Sequence, residues 1–361
     1  MPRSDRILMG PGPCNPYPEA IEAFGRPMLG HLDPEFLALL DDVCDRLRSL
    51  FGTTNALTVP ISGTGSAGME TCIVNVLGPG DVAVIGVNGV FGQRMCDVAS
   101  RTGAEVVRVD FEWGTPVTAE RLLNAHPSPT LIGMVHAETS TGARSDVAEI
   151  GAGKGDALLL VDCVTSLGGL EFRADDWGVD LAYSGTQKCL GVPPGLSPIT
   201  VSDRARDRFV AKSQSWYLDL RLIGDYVGTP GAKRAYHHTA PISMIFSLHG
   251  GLTAIADEGV DAVIERHATC GTAVQDGLVG LGFELFAQEG HRLPQLTTVR
   301  VPSGVDEAAI RSDLLGTYGI EIGGGLGEYA GKVWRVGCMG HTARERNVTT
   351  LVAALGELMA R

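Results

Sequence analysis

Apolar positions along this chain follow two periods, and the two alternate. Over residues 35–51, Phe36, Leu39, Leu40, Val43, Leu47 and Leu50 fall at helical spacing, which predicts an amphipathic helix. A second helix is predicted to run through Leu77 until Gly78-Pro79-Gly80-Asp81 stops it. From residue 82 onward, short apolar runs take turns with helix-patterned segments. Strands are predicted at 82–87, 105–109, 131–135 and 158–161, with helices at 91–102, 118–125 and 147–151 between them. Leu181-Ala182-Tyr183 is a further strand. Most of these runs are apolar, as in strands buried on both faces. Strands of that kind separated by helices make a mainly parallel sheet between helical layers, an α/β fold.

Beyond about residue 258 the pattern changes. A helix over 260–281 leads to strand-like runs at 283–287 and 297–301. A helix at 306–318, short strands at 320–322 and 333–336, and a last helix at 344–359 follow. This reads as a smaller α+β unit. The expected division is a large domain over 1–258, carrying an N-terminal arm, and a small domain over 259–361. The arm contains Gly10-Pro11-Gly12-Pro13, which can form neither a helix nor a central strand. It is a loop, either a simple arm or a segment close to a ligand.

Chemistry concentrates after two of the strands. The run Leu158-Leu159-Leu160-Val161 ends in Asp162, and Leu181-Ala182-Tyr183 runs into Ser184-Gly185-Thr186-Gln187-Lys188. An acid and a lysine thus leave the C-terminal ends of buried strands, where open α/β sheets build their sites. Alone, Lys188 would read as a surface lysine. Together with Asp162, the small hydroxylated residues before it and Pro193-Pro194-Gly195 after it, it reads as a Schiff-base lysine. A pyridoxal phosphate site needs such a lysine, and a carboxylate for the pyridinium nitrogen.

Ser62-Gly63-Thr64-Gly65-Ser66-Ala67-Gly68 precedes the helix that ends at Leu77. Small residues at a helix start leave N–H groups open for a phosphate. Gly63, Gly65 and Gly68 also fit GxGxxG. A dinucleotide site wants an acid at the end of the next strand, and Asn88-Gly89 stands there instead. An NAD-dependent oxidoreductase is therefore the remote alternative. His136-Ala137-Glu138 lacks the Pro-Cys-x-x-Cys partner of a zinc deaminase. His237 and His238 are adjacent, so on a strand they would point opposite ways. No metal is expected.

The 361 residues are 44% hydrophobic and 20% charged, ordinary for a globular chain. A net charge of −13 argues against nucleic-acid or anionic-membrane partners, which need a basic surface. The eight cysteines form no short-spaced framework and read as reduced thiols. With no secretory pattern and no membrane-length apolar run, a cytoplasmic protein is expected.

The motifs GPGPCN, SGTGSAGME, NGVFGQR, HAETSTG, LLLVDCVTSLGG, YSGTQKCLGVPPG, YHHTAPISMIFSL, GGLGEYAGKVWRVG and TARERNV resemble, in order and spacing, the alanine–glyoxylate and serine–pyruvate aminotransferases. These are class V aminotransferases of the fold-type I pyridoxal phosphate enzymes. The resemblance runs nearly end to end. It implies Lys188 as the Schiff-base lysine and Asp162 as the partner of the pyridine nitrogen. It implies Thr64, Gly65, Ser66 and Gln187 as phosphate ligands, with Ser66 where the animal enzymes have histidine. Phe91 stands where the family usually stacks a tryptophan on the cofactor ring. Thr139 replaces a serine near the ring oxygen. Tyr236 and Thr239 match a pair that reaches the phosphate of the other subunit, which implies a homodimer with shared sites. Arg335 matches the arginine that holds the substrate carboxylate. The implied reaction moves an amino group from alanine or serine to glyoxylate or pyruvate by a ping-pong mechanism. Relatives acting between 2-aminoethylphosphonate, or pyridoxamine, and pyruvate are the alternative.

Overall fold

A computed structural model describes residues 6–227 and 234–360. Seven strands form the main sheet: β1 (Leu57–Ser62), β2 (Val82–Val87), β3 (Glu105–Asp110), β4 (Leu131–Val135), β5 (Leu158–Asp162), β6 (Leu181–Tyr183) and β7 (Leu196–Val201). Their order across the sheet is β1-β7-β6-β5-β4-β2-β3. Every pairing is parallel except the two made by β7, which runs antiparallel between β1 and β6. β4 and β5 are buried at every position, as their unbroken apolar runs require.

The helix Pro34–Phe51 shows why the local signals work. Asp33 accepts the Glu35 N–H at its start, Pro34 fills the first turn, and Gly52 closes it in the left-handed conformation at φ 59°. Its face of Phe36, Leu40, Val43, Leu47 and Leu50 is buried.

Three elements differ from the periodicity. The helix Ile242–Glu258 carries no amphipathic stripe, because it is covered on two sides. A Cβ at Gly250 would lie 2.4 Å from the Glu19 carbonyl, and one at Gly251 2.3 Å from Val192 Cγ2. β7 contains Pro198, a residue that usually argues against a central strand. It stands directly opposite Pro60 of β1; its carbonyl accepts the Ser184 N–H at 2.8 Å, and the Ser197 hydroxyl donates to Ser184 O at 2.6 Å where the missing proline N–H would have bonded. The run 283–287 forms no strand; only Leu285 bridges to Val299.

The C-terminal residues build a three-stranded antiparallel sheet in which Val333–Gly337 lies between Leu296–Arg300 and Gly323–Gly324. Its own apolar cluster includes Trp334, Leu351, Leu355 and Met9 from the arm. The arm is tied at both ends. Ile7–Leu8 pairs with Ile320–Glu321, and Gly337 N–H donates to Met9 O at 2.7 Å. Farther on, Cys14 N–H donates to Gln187 O at 3.0 Å and Tyr17 N–H to Gly191 O at 2.8 Å. The arm therefore crosses from the small sheet to the lysine loop.

Candidate active site

Every strand of the main sheet except β7 points the same way, and their C-terminal ends open on one edge of the sheet. Thr64, Gly65 and Ser66 follow β1; Phe91 follows β2; Thr139 follows β4; Asp162 closes β5; Gln187 and Lys188 follow β6. All of these line one open cleft, with Arg94, Val164 and Tyr183 among its other walls. This is the crevice where α/β sheets hold ligands.

Lys188 is 8% exposed, and its amine donates to Pro11 O of the arm. Burial, and then the neighbouring positive charge of Arg335, lower its pKa to about 8. Gly12 makes this approach feasible: its φ is +104°, and a Cβ there would stand 2.7 Å from Lys188 Nζ. The Gly-Pro arm is thus a ligand-side wall.

Asp162 sits across the cleft. Its Oδ1 accepts the Val164 N–H at 2.9 Å and its Oδ2 accepts the Tyr183 hydroxyl at 2.7 Å. Burial raises the carboxyl to about 6, against the opposing pull of those two donors and of Lys188. It is still ionised at neutral pH. Tyr183 is fully buried, and the sequence marks it only as a strand residue.

The opposite end suits an anion. No side chain caps the helix Gly65–Val76, so its N-terminal amides face the cleft with the positive end of the helix dipole. Gln187 Oε1 is buried without a hydrogen-bond partner; a half-turn of this amide would present its NH2 group, the donor an anion needs. Arg94 Nη1 donates to Ser66 Oγ at 3.2 Å. The third glycine of the GxGxxG match has a packing role: a Cβ at Gly68 would lie 2.0 Å from Ser197 Oγ of β7.

Phe91 is held by its backbone. Its N–H donates to Glu138 Oε2 at 3.2 Å, and the Val90 N–H donates to Ser140 Oγ at 3.0 Å. Glu138 also accepts from the Ser140 hydroxyl at 2.6 Å and the Ser140 N–H at 3.0 Å. Burial raises Glu138 to about 6. The His-x-Glu fragment therefore caps the helix that presents Phe91. His136 lies in the core, its ring centroid 5.8 Å from Phe172 and 5.7 Å from Trp177, and burial lowers it to about 4.

Arg335 enters from the small sheet. Nε donates to Gly324 O at 2.8 Å and Nη1 to Thr139 O at 3.3 Å. It is buried and pairs with no carboxylate among the described residues. Burial lowers it to about 10, so it remains a cation at neutral pH.

Tyr236 and Thr239 do not line this cleft. Their hydroxyls lie 3.5 Å apart, and Tyr236 is 62% exposed. His238 Nε2 lies 2.9 Å from Ser62 Oγ, and the His237 ring stacks near Trp216.

The set fits pyridoxal phosphate: a buried amine, a buried carboxylate, an aromatic face and an uncapped helix start in one cleft. Glu138, Tyr183 and Arg94 complete the site, and none of them carries a sequence signal on its own.

Residues 15–337 match the family described as aminotransferase class-V. The chain is 39% identical to the alanine–glyoxylate aminotransferase of Drosophila melanogaster, over 98% of this chain and 92% of that one. It is similar to the crystal structure of an alanine–glyoxylate aminotransferase from Nostoc sp., with a TM-score of 0.95 and 46% identity over 100% of this chain and 97% of the other. The ureidoglycine–glyoxylate aminotransferase of Bacillus subtilis gives a TM-score of 0.96 at 36% identity, covering 100% and 94%.

Proposed function

The chain is a class-V aminotransferase that works with pyridoxal phosphate, and from that premise we propose that it moves the amino group of alanine or serine to glyoxylate or pyruvate. The observation that carries the substrate reading is Arg335, a buried guanidinium close enough to Lys188 to depress the amine. A planar carboxylate fits its fork. One such clamp, bonded to the backbone of the cleft residue Thr139, favours a small monocarboxylic amino acid.

When bound, pyridoxal phosphate supplies an electron sink for the Cα–H bond of the substrate. The chain's own residues do the rest. Asp162 holds the proton on the ring nitrogen by its charge. Phe91 covers one face of the ring. Nζ of Lys188 would hold the cofactor at rest and, once free, would act as the base that takes the substrate's Cα proton and as the acid that returns it. Arg335 fixes the carboxylate in both half-reactions, because amino acid and keto acid share that group. The kinetics are ping-pong.

Arg335→Ala should lower kcat/KM roughly 100-fold for the donor and for glyoxylate, measured in separate half-reactions. The absorbance of the bound cofactor should be unchanged. Arg335→Lys should recover part of the loss. No change in either half-reaction would place the carboxylate elsewhere. The donor panel should include (S)-ureidoglycine as the second reading, since the Bacillus subtilis relative carries that name at 36% identity.

Tyr236 and Thr239 belong to the phosphate site of a second copy. In support, Tyr236 is exposed in the single chain, and Met28 (72% exposed), Ile21, Phe24 and Leu32 leave one apolar segment uncovered. Sedimentation should show a dimer at the lowest assayable concentration; a fully active monomer would refute the shared site. The division into 1–258 and 259–361 is supported by two large apolar clusters, which follow it except that Met9 belongs to the second and Val263 to the first. A cytoplasmic location is supported by eight free cysteines, and no described helix is long and apolar enough to cross a membrane.

A further inference from the structure

The wall of the cleft beside the uncapped helix holds a cation, Arg94, that makes no ion pair among the described residues, although its charge reaches Asp162. Arg94 lies one turn after Phe91 in the helix Val90–Ser100, and its guanidinium carbon stands 4.9 Å from the centroid of the Phe91 ring. That contact and the 3.2 Å bond to Ser66 Oγ fix the guanidinium on the cleft side. Among the described residues, Ser66 is the one hydrogen-bond partner recorded for Arg94, and no carboxylate lies within ion-pair distance. Asp162, an acid of the same cleft, is already engaged with Val164 and Tyr183.

Arg94 is exposed, so its four further N–H donors are open to solvent or to a ligand. They line the same cleft as Gly65 and Ser66, whose amides open the uncapped helix. Two positive features, a helix N-terminus and a guanidinium, converge there and call for an anion rather than a neutral ring. The cofactor's phosphate and the substrate's carboxylate are the two anions on offer, and Arg335 already has the geometry for the carboxylate.

We propose that Arg94 is a ligand of the cofactor phosphate, oriented for it by Ser66 and by the Phe91 ring. Ser66 is neutral and too short to supply charge itself, so its hydroxyl serves to place the guanidinium. This rests on the cofactor assignment above and adds a residue to it.

The test titrates the cofactor-free dimeric enzyme with pyridoxal phosphate and, separately, with pyridoxal, which has the same ring and aldehyde but no phosphate. Binding is followed by absorbance and by quenching of protein fluorescence. In R94Q, Kd for pyridoxal phosphate should rise about 10- to 100-fold, as for loss of charge-assisted hydrogen bonds, while Kd for pyridoxal stays within about twofold. Inorganic phosphate should compete with the cofactor less well in R94Q than in the wild type. R94K, which keeps the charge without the fork, should fall between and guards against misfolding of R94Q. Equal weakening of both ligands in R94Q would mean that Arg94 acts by supporting Phe91, and would overturn the proposal. So would an unchanged Kd for pyridoxal phosphate with a raised KM for the amino acid, which would assign Arg94 to the substrate. A wild-type enzyme that bound neither ligand would remove the cofactor assignment itself.

Discussion

Lys188→Ala should cost the enzyme at least roughly 10⁴-fold in kcat, the upper range for loss of a positioned general acid–base group. The same side chain has two tasks here, tethering the cofactor and moving the Cα proton, so one truncation removes both. The lysine is suited to this because it is buried and faces the positive Arg335, which together bring its pKa to about 8. Near neutral pH a useful fraction of the amine is unprotonated and nucleophilic. The sign follows directly. Below about pH 8, the rate at which the cofactor-free enzyme captures pyridoxal phosphate should rise about tenfold per pH unit, and above it the rate should level off. Borohydride treatment of the holoenzyme should fix the cofactor to the peptide that contains Lys188. Lys188→Ala should still bind pyridoxal phosphate through Asp162 and the phosphate wall, without the absorbance of the tethered form. Recovery of the reduced adduct on another lysine, or substantial turnover by Lys188→Ala, would refute the assignment.

Asp162→Asn should lower kcat by roughly 10³-fold while leaving the fold nearly unchanged. The substitution is close to isosteric. The oxygen of the new amide can still accept the Val164 N–H, and its nitrogen can donate to a Tyr183 hydroxyl that turns to accept. What is lost is the negative charge. Burial raises Asp162 only to about 6, so at pH 7 it is an anion in a site of low polarity, where charge on the ring nitrogen weighs most in the transition state. A preorganised electrostatic partner of this kind is typically worth about 3–4 kcal/mol of barrier. The checks are kcat at pH 7, cofactor occupancy by absorbance and Tm. Near-native turnover of Asp162→Asn with full cofactor would show that the ring nitrogen is held elsewhere.

Much of this architecture is local. The runs at 131–135 and 158–161 are apolar at every position because both faces of β4 and β5 are covered, and such runs can be read without knowing the fold. Asp162 and Lys188 were legible for a related reason: each stands where a buried strand gives way to a loop of small residues. The helix Pro34–Phe51 carries its cap, its stop and its stripe in its own sequence. The helix Ile242–Glu258 was not legible, because a helix buried on two sides loses the polar face that periodicity depends on. β7 was hidden by Pro198, whose missing donor is replaced by the Ser197 hydroxyl bonding Ser184 O.

The chain's own sequence therefore determined the alternation of strands and helices, the lysine, its acid and, through resemblance, the cofactor chemistry. Tertiary structure alone decided how those residues are tuned. Tyr183 meets Asp162 across 21 residues, Arg94 meets Ser66 across 28, and Pro11 meets Lys188 across 177. Each contact depends on which strands lie side by side and on where the arm crosses. The depressed amine, the ionised buried carboxylate and the cation beside the helix start follow from that burial and from charges distant in sequence, which no local pattern encodes.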